Sequence, residues 1–215
     1  MPAPANAIDS LLLRCTPAAH ETATTLAQAA LALLRQYLAD LQLDLRLARV
    51  AQQPQGIAYL YFALGNPQPL SADQTAQAEC RLQGAGMAGL AACELSRLQL
   101  VMHRVGPTHG EATPVHYAVE MDPEAGWQDE LFAWYDQEHL PGLAAVAGTA
   151  QAFRYLNLDH GPLSLACYDL VDAEVMGCPA WLAVRGTDWS ARVRPHFTNT
   201  RRTMFDAQPL VVAIR

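Results

Sequence analysis

The sequence contains no lysine; all 14 of its basic side chains are arginine. That absence excludes Schiff-base catalysis through a lysine amine and a lysine phosphate clamp. Positive charge is also outweighed, since the formal net charge is −7, so a broad nucleic-acid surface or an anionic-membrane patch is not expected. Long hydrophobic runs are missing: no stretch approaches the ~18 apolar residues of a bilayer-spanning helix. The first residues, MPAPANAIDSLLLRC, lack the basic n-region and long apolar run of a secretory signal, so a cytoplasmic protein is the expectation. Cysteines 15, 80, 93, 167 and 178 are odd in number and show no C-x-x-C spacing. Each sits in or beside an apolar run, which reads as buried free thiols in a reducing compartment.

Several chemical signatures are absent as well. There is no G-x-S-x-G and no Walker loop, and the glycines of Gly84-Ala85-Gly86-Met87-Ala88-Gly89 have the wrong spacing for G-x-G-x-x-G. Glu138-His139 lacks the second histidine of H-E-x-x-H. His103, His109 and His116 cluster along the chain, but their spacing matches no metal signature, so no metal is expected.

What the chain does have is apolar residues, 51% of 215, against 16% charged. At this length folding buries about 70% of the unfolded surface, so a core forms without staples. AIDSLLLRCT reads as a strand. Thr16-Pro17 supplies a helix start, followed by the stripe Leu26, Ala30, Leu33, Leu34, Tyr37 and Leu41. LDLRLARVA alternates as a half-buried strand, and GIAYLYFALG is a nearly continuous apolar one, ended by the break NPQPL. A helix over 71–84 and the strand AACELSRLQLVMHRV complete β-α-β-β-α-β. After GPTHGEATP the order repeats: VHYAVEMD, the helix GWQDELFAWYDQEHL, TAQAFRYLNLD, PLSLACYDLV, the short helix DAEVMGCPAWLAV, and TRRTMFDAQPLVVAI.

That order is the ferredoxin-like split βαβ unit, whose helices cover only one sheet face. A bare apolar face needs a partner, and a second copy in the same chain can supply it. The expected fold class is therefore α+β: two ferredoxin-like units in tandem, residues 1–106 and 107–215, with antiparallel sheets facing each other as a pseudo-symmetric barrel.

The run WYDQEHLPGL over 134–143 carries the functional question. Trp127, Leu131 and Trp134 form one helical stripe, and Tyr135 and His139, four apart, continue it. Pro141 should end the helix within a residue of His139. His139 would then sit at a helix C-terminus, where the dipole raises its pKa, and near a sheet rim where ligand cavities form. Tryptophans on such stripes more often pack cores, and histidines at helix ends more often cap. The shared aromatic face and the helix break are what point to a site.

Phe132-x-Trp134-Tyr135-x-x-Glu138-His139-Leu140-Pro141, then Gly148, then Arg154-Tyr155, resembles the EthD-like branch of the dimeric α+β barrel superfamily over roughly residues 115–210. That superfamily includes cofactor-free monooxygenases and cyclases of aromatic polyketides, muconolactone isomerase-like proteins and haem-degrading or peroxidase-like members. The resemblance implies a pocket between helices and sheet near His139, with Trp134 and Tyr135 on the helix and Arg154 and Tyr155 on the strand. The first unit departs from the pattern: its LLRQYLADLQL helix has Tyr37 but no histidine, which favours one pocket per chain.

Five arginines fall at 185, 192, 194, 201 and 202. They either form a solvated face or receive a carboxylate or phosphate. Arg201 and Arg202 should point to opposite faces of a strand, so at most one meets a pocket; Arg201 is the candidate taken. Phe197 and Asn199 would line the mouth, and Tyr168 is a further wall. The expected function is a small-molecule enzyme for a hydrophobic or aromatic, polyketide-like substrate, by oxygenation, cyclisation or isomerisation. His139 would be a near-neutral general acid/base, and Arg154 or Arg201 would orient an oxygen. No cofactor is expected. A non-catalytic binding or assembly protein is the first alternative and a haem-binding protein the second. The expected partner is a small hydrophobic or aromatic ligand, and the chain is either a monomer with an internal pseudo-dimer or a homodimer.

Overall fold

In a computed structural model, residues 7–54 and 56–208 are described. They fall into two compact units. The first holds residues up to 99, with 158–160 and the end of the last strand from 206; the second holds 100–157 and 161–205.

The first unit runs β1 (Ala7–Cys15), α1 (Ala23–Tyr37), β2 (Leu45–Gln52), β3 (Ala58–Pro69), α2 (Ala72–Gln83) and the start of β4 (Glu94–Val105). Its antiparallel sheet has the order β4-β1-β3-β2. Leu26, Ala30 and Leu34 of α1 pack with Leu11, Leu13, Leu60 and Phe62 of the sheet in one apolar cluster. The helix α1 does not start at Thr16-Pro17. Thr22 is the N-cap, its side chain accepting from the Thr25 amide at 3.1 Å, and the proline lies in the loop before it. α2 opens as expected, with a reciprocal capping box between Ser71 and Gln74. β3 continues through the expected break at NPQPL, because Ala7 and Ile8 of β1 pair with Pro69 and Gln68 at its tail.

The second unit holds β5 (Val115–Pro123), α3 (Gln128–Trp134), a π-helical turn (Tyr135–His139), α4 (Leu140–Ala144), β6 (Thr149–Asn157), β7 (Ser164–Leu170), α5 (Pro179–Arg185), α6 (Asp188–Val193) and β8 (Phe197–Gln208). Its strands are ordered β8-β5-β7-β6-β4. Residues 209–214 of the expected last strand lie outside the described ones. Every residue of β7 is buried, so this strand is covered on both faces and alternation sorts its residues. Ala166, Tyr168 and Leu170 join Met121, Trp134 and Trp181 in the cluster on one face. Asp169 faces the other way: its Oδ1 lies 2.7 Å from His116 Nδ1, and its Oδ2 accepts from Gln151 at 2.8 Å.

Both units therefore read β-α-β-β-α-β, an α+β organisation with antiparallel strands, as the element order predicts. All five cysteines are free, but only Cys15, Cys93 and Cys167 are buried. Cys80 is exposed on the outer side of α2, and the half-buried Cys178 receives the Trp181 amide at the start of α5. Among the described residues no helix is long and apolar enough to cross a membrane.

Candidate functional site

The helix that carries His139 does not stop there. It widens into one π turn, in which the Leu140 amide donates to the Tyr135 carbonyl five residues back, and then resumes as α4. Pro141 is accommodated because its missing N–H falls in the first turn of α4, where no ladder bond is required. The widening has a geometric consequence. In an unbroken α-helix, residues five apart are rotated by about 140°; across a π turn they come into line. The Trp134 and His139 rings accordingly stack, with centroids 4.1 Å apart and planes at 21°. Tyr135 meets the imidazole edge-on at 5.5 Å.

Hydrogen bonds hold this turn against α5 and α6. Trp134 Nε1 donates to Ser190 Oγ at 3.3 Å, and Ser190 Oγ donates to the Val184 carbonyl at 3.2 Å. Thr187 Oγ1 donates to Glu138 at 2.6 Å. Close packing is also needed: a Cβ on Gly142 would stand 2.9 Å from Val184. Gly148, which begins the approach to β6, has φ +95 and lies where a Cβ would come within 2.4 Å of Val175.

Between the π turn and the sheet lies a cavity of about 30 Å³, lined by Tyr117, Val119, Trp134, Tyr135, His139, Leu143, Tyr168, Trp181, Arg185, Arg194, Phe197 and Arg202. This is room for about one water molecule, roughly tenfold below the size of ordinary small-molecule pockets. Two buried polar atoms in the lining, His139 Nδ1 and Tyr168 Oη, have no hydrogen-bond partner. Each such atom costs about 1–3 kcal/mol when left unmet. The lining contains three cations and no carboxylate.

Burial drives the His139 pKa down from 6.5 to about 3, helped by the positive charges of Arg194 and Arg185. This overturns the expected near-neutral, dipole-raised histidine. The helix does not end beside it, and desolvation plus two guanidiniums decide the shift. Burial likewise raises the Tyr135, Tyr168 and Tyr117 hydroxyl pKa values. Arg194 is held below the ordinary arginine value, first by burial and then by Arg185 and Arg202.

Of the residues singled out in the sequence, Trp134, Tyr135, His139, Tyr168 and Phe197 meet around this cavity. The others lie elsewhere. Arg154 is 1% exposed and held away from the cavity: its guanidinium pairs with Asp136 at 3.0 Å and lies over the Phe132 ring at 4.4 Å. Tyr155, one residue on, points to the opposite face of β6 and stacks with Phe153 at 5.9 Å. Asn199 is exposed and donates to Asp122 at 2.8 Å. Its φ of 49 interrupts the strand's alternation, so Phe197 and Arg202 both reach the cavity while Arg201 stays outside it. Arg185, Arg194 and Arg202 belong to the arginine cluster visible in the sequence. Tyr117, Val119 and Trp181 carried no signal there beyond being apolar or aromatic.

No family model matches the chain, and no curated protein matches it either. Solved structures do. A candidate monooxygenase from Fusobacterium nucleatum superposes with TM-score 0.56 at 8% identity, over 94% of each chain. An anthrone oxidase-like protein superposes with TM-score 0.59 at 14% identity, over 95% of this chain and 92% of the other. A chlorite dismutase variant from Candidatus Nitrospira defluvii gives TM-score 0.55 at 8% identity, over 94% and 92%. At such identities the likeness is one of fold alone.

A haem-binding protein is the second alternative that the sequence raises. The residues here do not fit haem: the cavity beside His139 has space for about one water, and its walls are closely packed aromatic rings. No step is assigned to that group.

Proposed function

We propose that this chain is a tandem of two ferredoxin-like units, 1–106 and 107–215, of which the second is a cofactor-free small-molecule enzyme. Its chemistry is proton transfer at an aromatic, polyketide-like substrate. The observation that carries the reading is the single neutral imidazole, held by a π turn with a ring nitrogen unpartnered inside a cavity walled by Trp134, Tyr135 and Tyr168.

His139 is uncharged across the neutral range, so it acts as a proton acceptor rather than a donor. Burial first, and then the positive field of Arg194 and Arg185, lower its own proton affinity; the same field lowers that of an acidic C–H or phenolic O–H brought beside it. The enolate or phenolate left behind is stabilised by Arg185, Arg194 and Arg202 at the mouth. Oxygenation, cyclisation and isomerisation all begin with this step. Arg185 and Arg194 are half-buried and Arg202 is exposed; swinging them outward is what admits a ring.

The reading is tested by deuterium exchange at the benzylic CH₂ of anthrone in D₂O. The protein is expected to accelerate exchange over buffer, and His139→Gln is expected to lose at least about a hundredfold of that acceleration. Equal acceleration by the variant would show that His139 is not the base. The second reading, a binding protein without chemistry, is favoured by the small cavity volume, and it predicts no acceleration by either protein.

A further inference from the structure

We infer that the cavity of the second unit recognises an aromatic anion: a flat ring bearing a carboxylate, phenolate or enolate oxygen, with that oxygen seated against Arg185, Arg194 and Arg202. This names the substrate class for the reading above and rests on the same site.

Three observations carry it. First, the lining is chemically one-sided. It holds three guanidiniums and no acid in a protein whose formal net charge is −7. Like charges gathered at a half-buried site repel one another unless an anion joins them. Second, several acids of this unit are engaged elsewhere. Glu130 takes Arg192 at 2.7 Å and the Trp189 indole at 2.9 Å. Glu124 takes His196 at 2.6 Å, Asp122 takes Asn199, and Asp136 takes Arg154. Of the arginines over 185–202, Arg192 is thus paired, whereas Arg185, Arg194 and Arg202 make no hydrogen bond or ion pair with any described residue. Third, the cavity itself holds unmet polar atoms, Tyr168 Oη and His139 Nδ1, both buried. Burial raises the Tyr168 hydroxyl pKa, so it keeps its proton and remains an unused donor in the cavity lining. A neutral imidazole can present an N–H beside it.

The remaining walls are Trp134, Tyr135, Trp181 and Phe197, which suit a planar apolar body. The space of about 30 Å³ fits an oxygen-bearing edge rather than a whole fused ring. The ring therefore occupies the volume released when the arginine side chains swing outward, with its charged edge held by them. A carboxylate or phenolate also accepts hydrogen bonds from the forked guanidiniums, a geometry that an amide or ether cannot match in charge.

The experiment is calorimetric titration of the full-length chain near neutral pH with 2-naphthoate and with its uncharged counterpart 2-naphthamide. 2-Naphthoate is expected to bind at least about tenfold more tightly, and its affinity should fall as sodium chloride is raised. Arg185→Gln/Arg194→Gln should abolish the preference for the charged probe, whereas Arg192→Gln, whose side chain is held by Glu130, should keep it. Equal affinities for the two probes would overturn the inference, as would no binding of naphthoate at millimolar concentration or an undiminished preference in the double variant. The two readings can fail separately. If naphthoate is preferred but His139→Gln still accelerates exchange in anthrone like the parent, the anion site stands and the catalytic role falls. If exchange depends on His139 but the two probes bind alike, the catalytic role stands and the anion site falls.

Discussion

His139 couples stability to pH through its burial. Its pKa lies near 3 in the folded chain against an ordinary 6.5. Between those values the unfolded chain binds a proton that the folded chain refuses, so folding is progressively opposed as pH falls through that window. Above about 6.5 the penalty is absent. The groups around the ring, Tyr135, Tyr168, Tyr117, Arg185 and Arg194, supply no negative charge there to offset it. Urea-unfolding midpoints should therefore decline more steeply below pH 6.5 in the parent than in His139→Gln, and parallel profiles would contradict the burial. Arg154 makes a second residue-scale prediction. Its guanidinium is buried, its partner Asp136 is about a third exposed, and its Nη1 has no partner. Asp136→Asn removes its ion-pair partner, and a loss of about 1–3 kcal/mol is expected in the same unfolding assay, below the full cost of breaking a wholly buried pair because solvent screens the acid.

At the scale of elements, the decisive feature is the π turn over Tyr135–His139. Deleting the exposed Gln137 removes the extra residue and restores α periodicity, turning Trp134 away from the imidazole. Far-ultraviolet dichroism should change little, while the His139 ring protons should lose the ring-current shift that stacking at 4.1 Å imposes; an unchanged shift would show that the turn is not what aligns them. This turn was not legible in the sequence. Apolar spacing fixes which residues are buried, and Leu131, Trp134 and Tyr135 are. An added residue in one turn leaves that pattern almost intact, and Pro141 reads as a stop although it sits harmlessly in the next first turn. The order of elements was legible because apolar and alternating runs are separated by Pro- and Gly-rich turns. The split between Arg201 and Arg202 was legible only as alternation, and the left-handed Asn199 reset its phase.

Over the whole molecule, the two units share an element order but not a site. The α1 helix of the first unit ends at Tyr37 with no histidine and no π turn, and its apolar cluster is built mainly from small and aliphatic residues around Phe62. One aromatic anion per chain is therefore the expected calorimetric stoichiometry, and two equivalent sites would contradict this asymmetry. In the second unit a neutral imidazole faces a cation-rimmed hollow. Nitrogen-15 NMR of the His139 side chain tests it most directly. The ring should remain neutral from pH 8 down to about pH 4, as a pKa near 3 requires, and its nitrogen shifts should move when 2-naphthoate is added. A midpoint near 6.5 with no response to the ligand would place the ring in water and contradict the account.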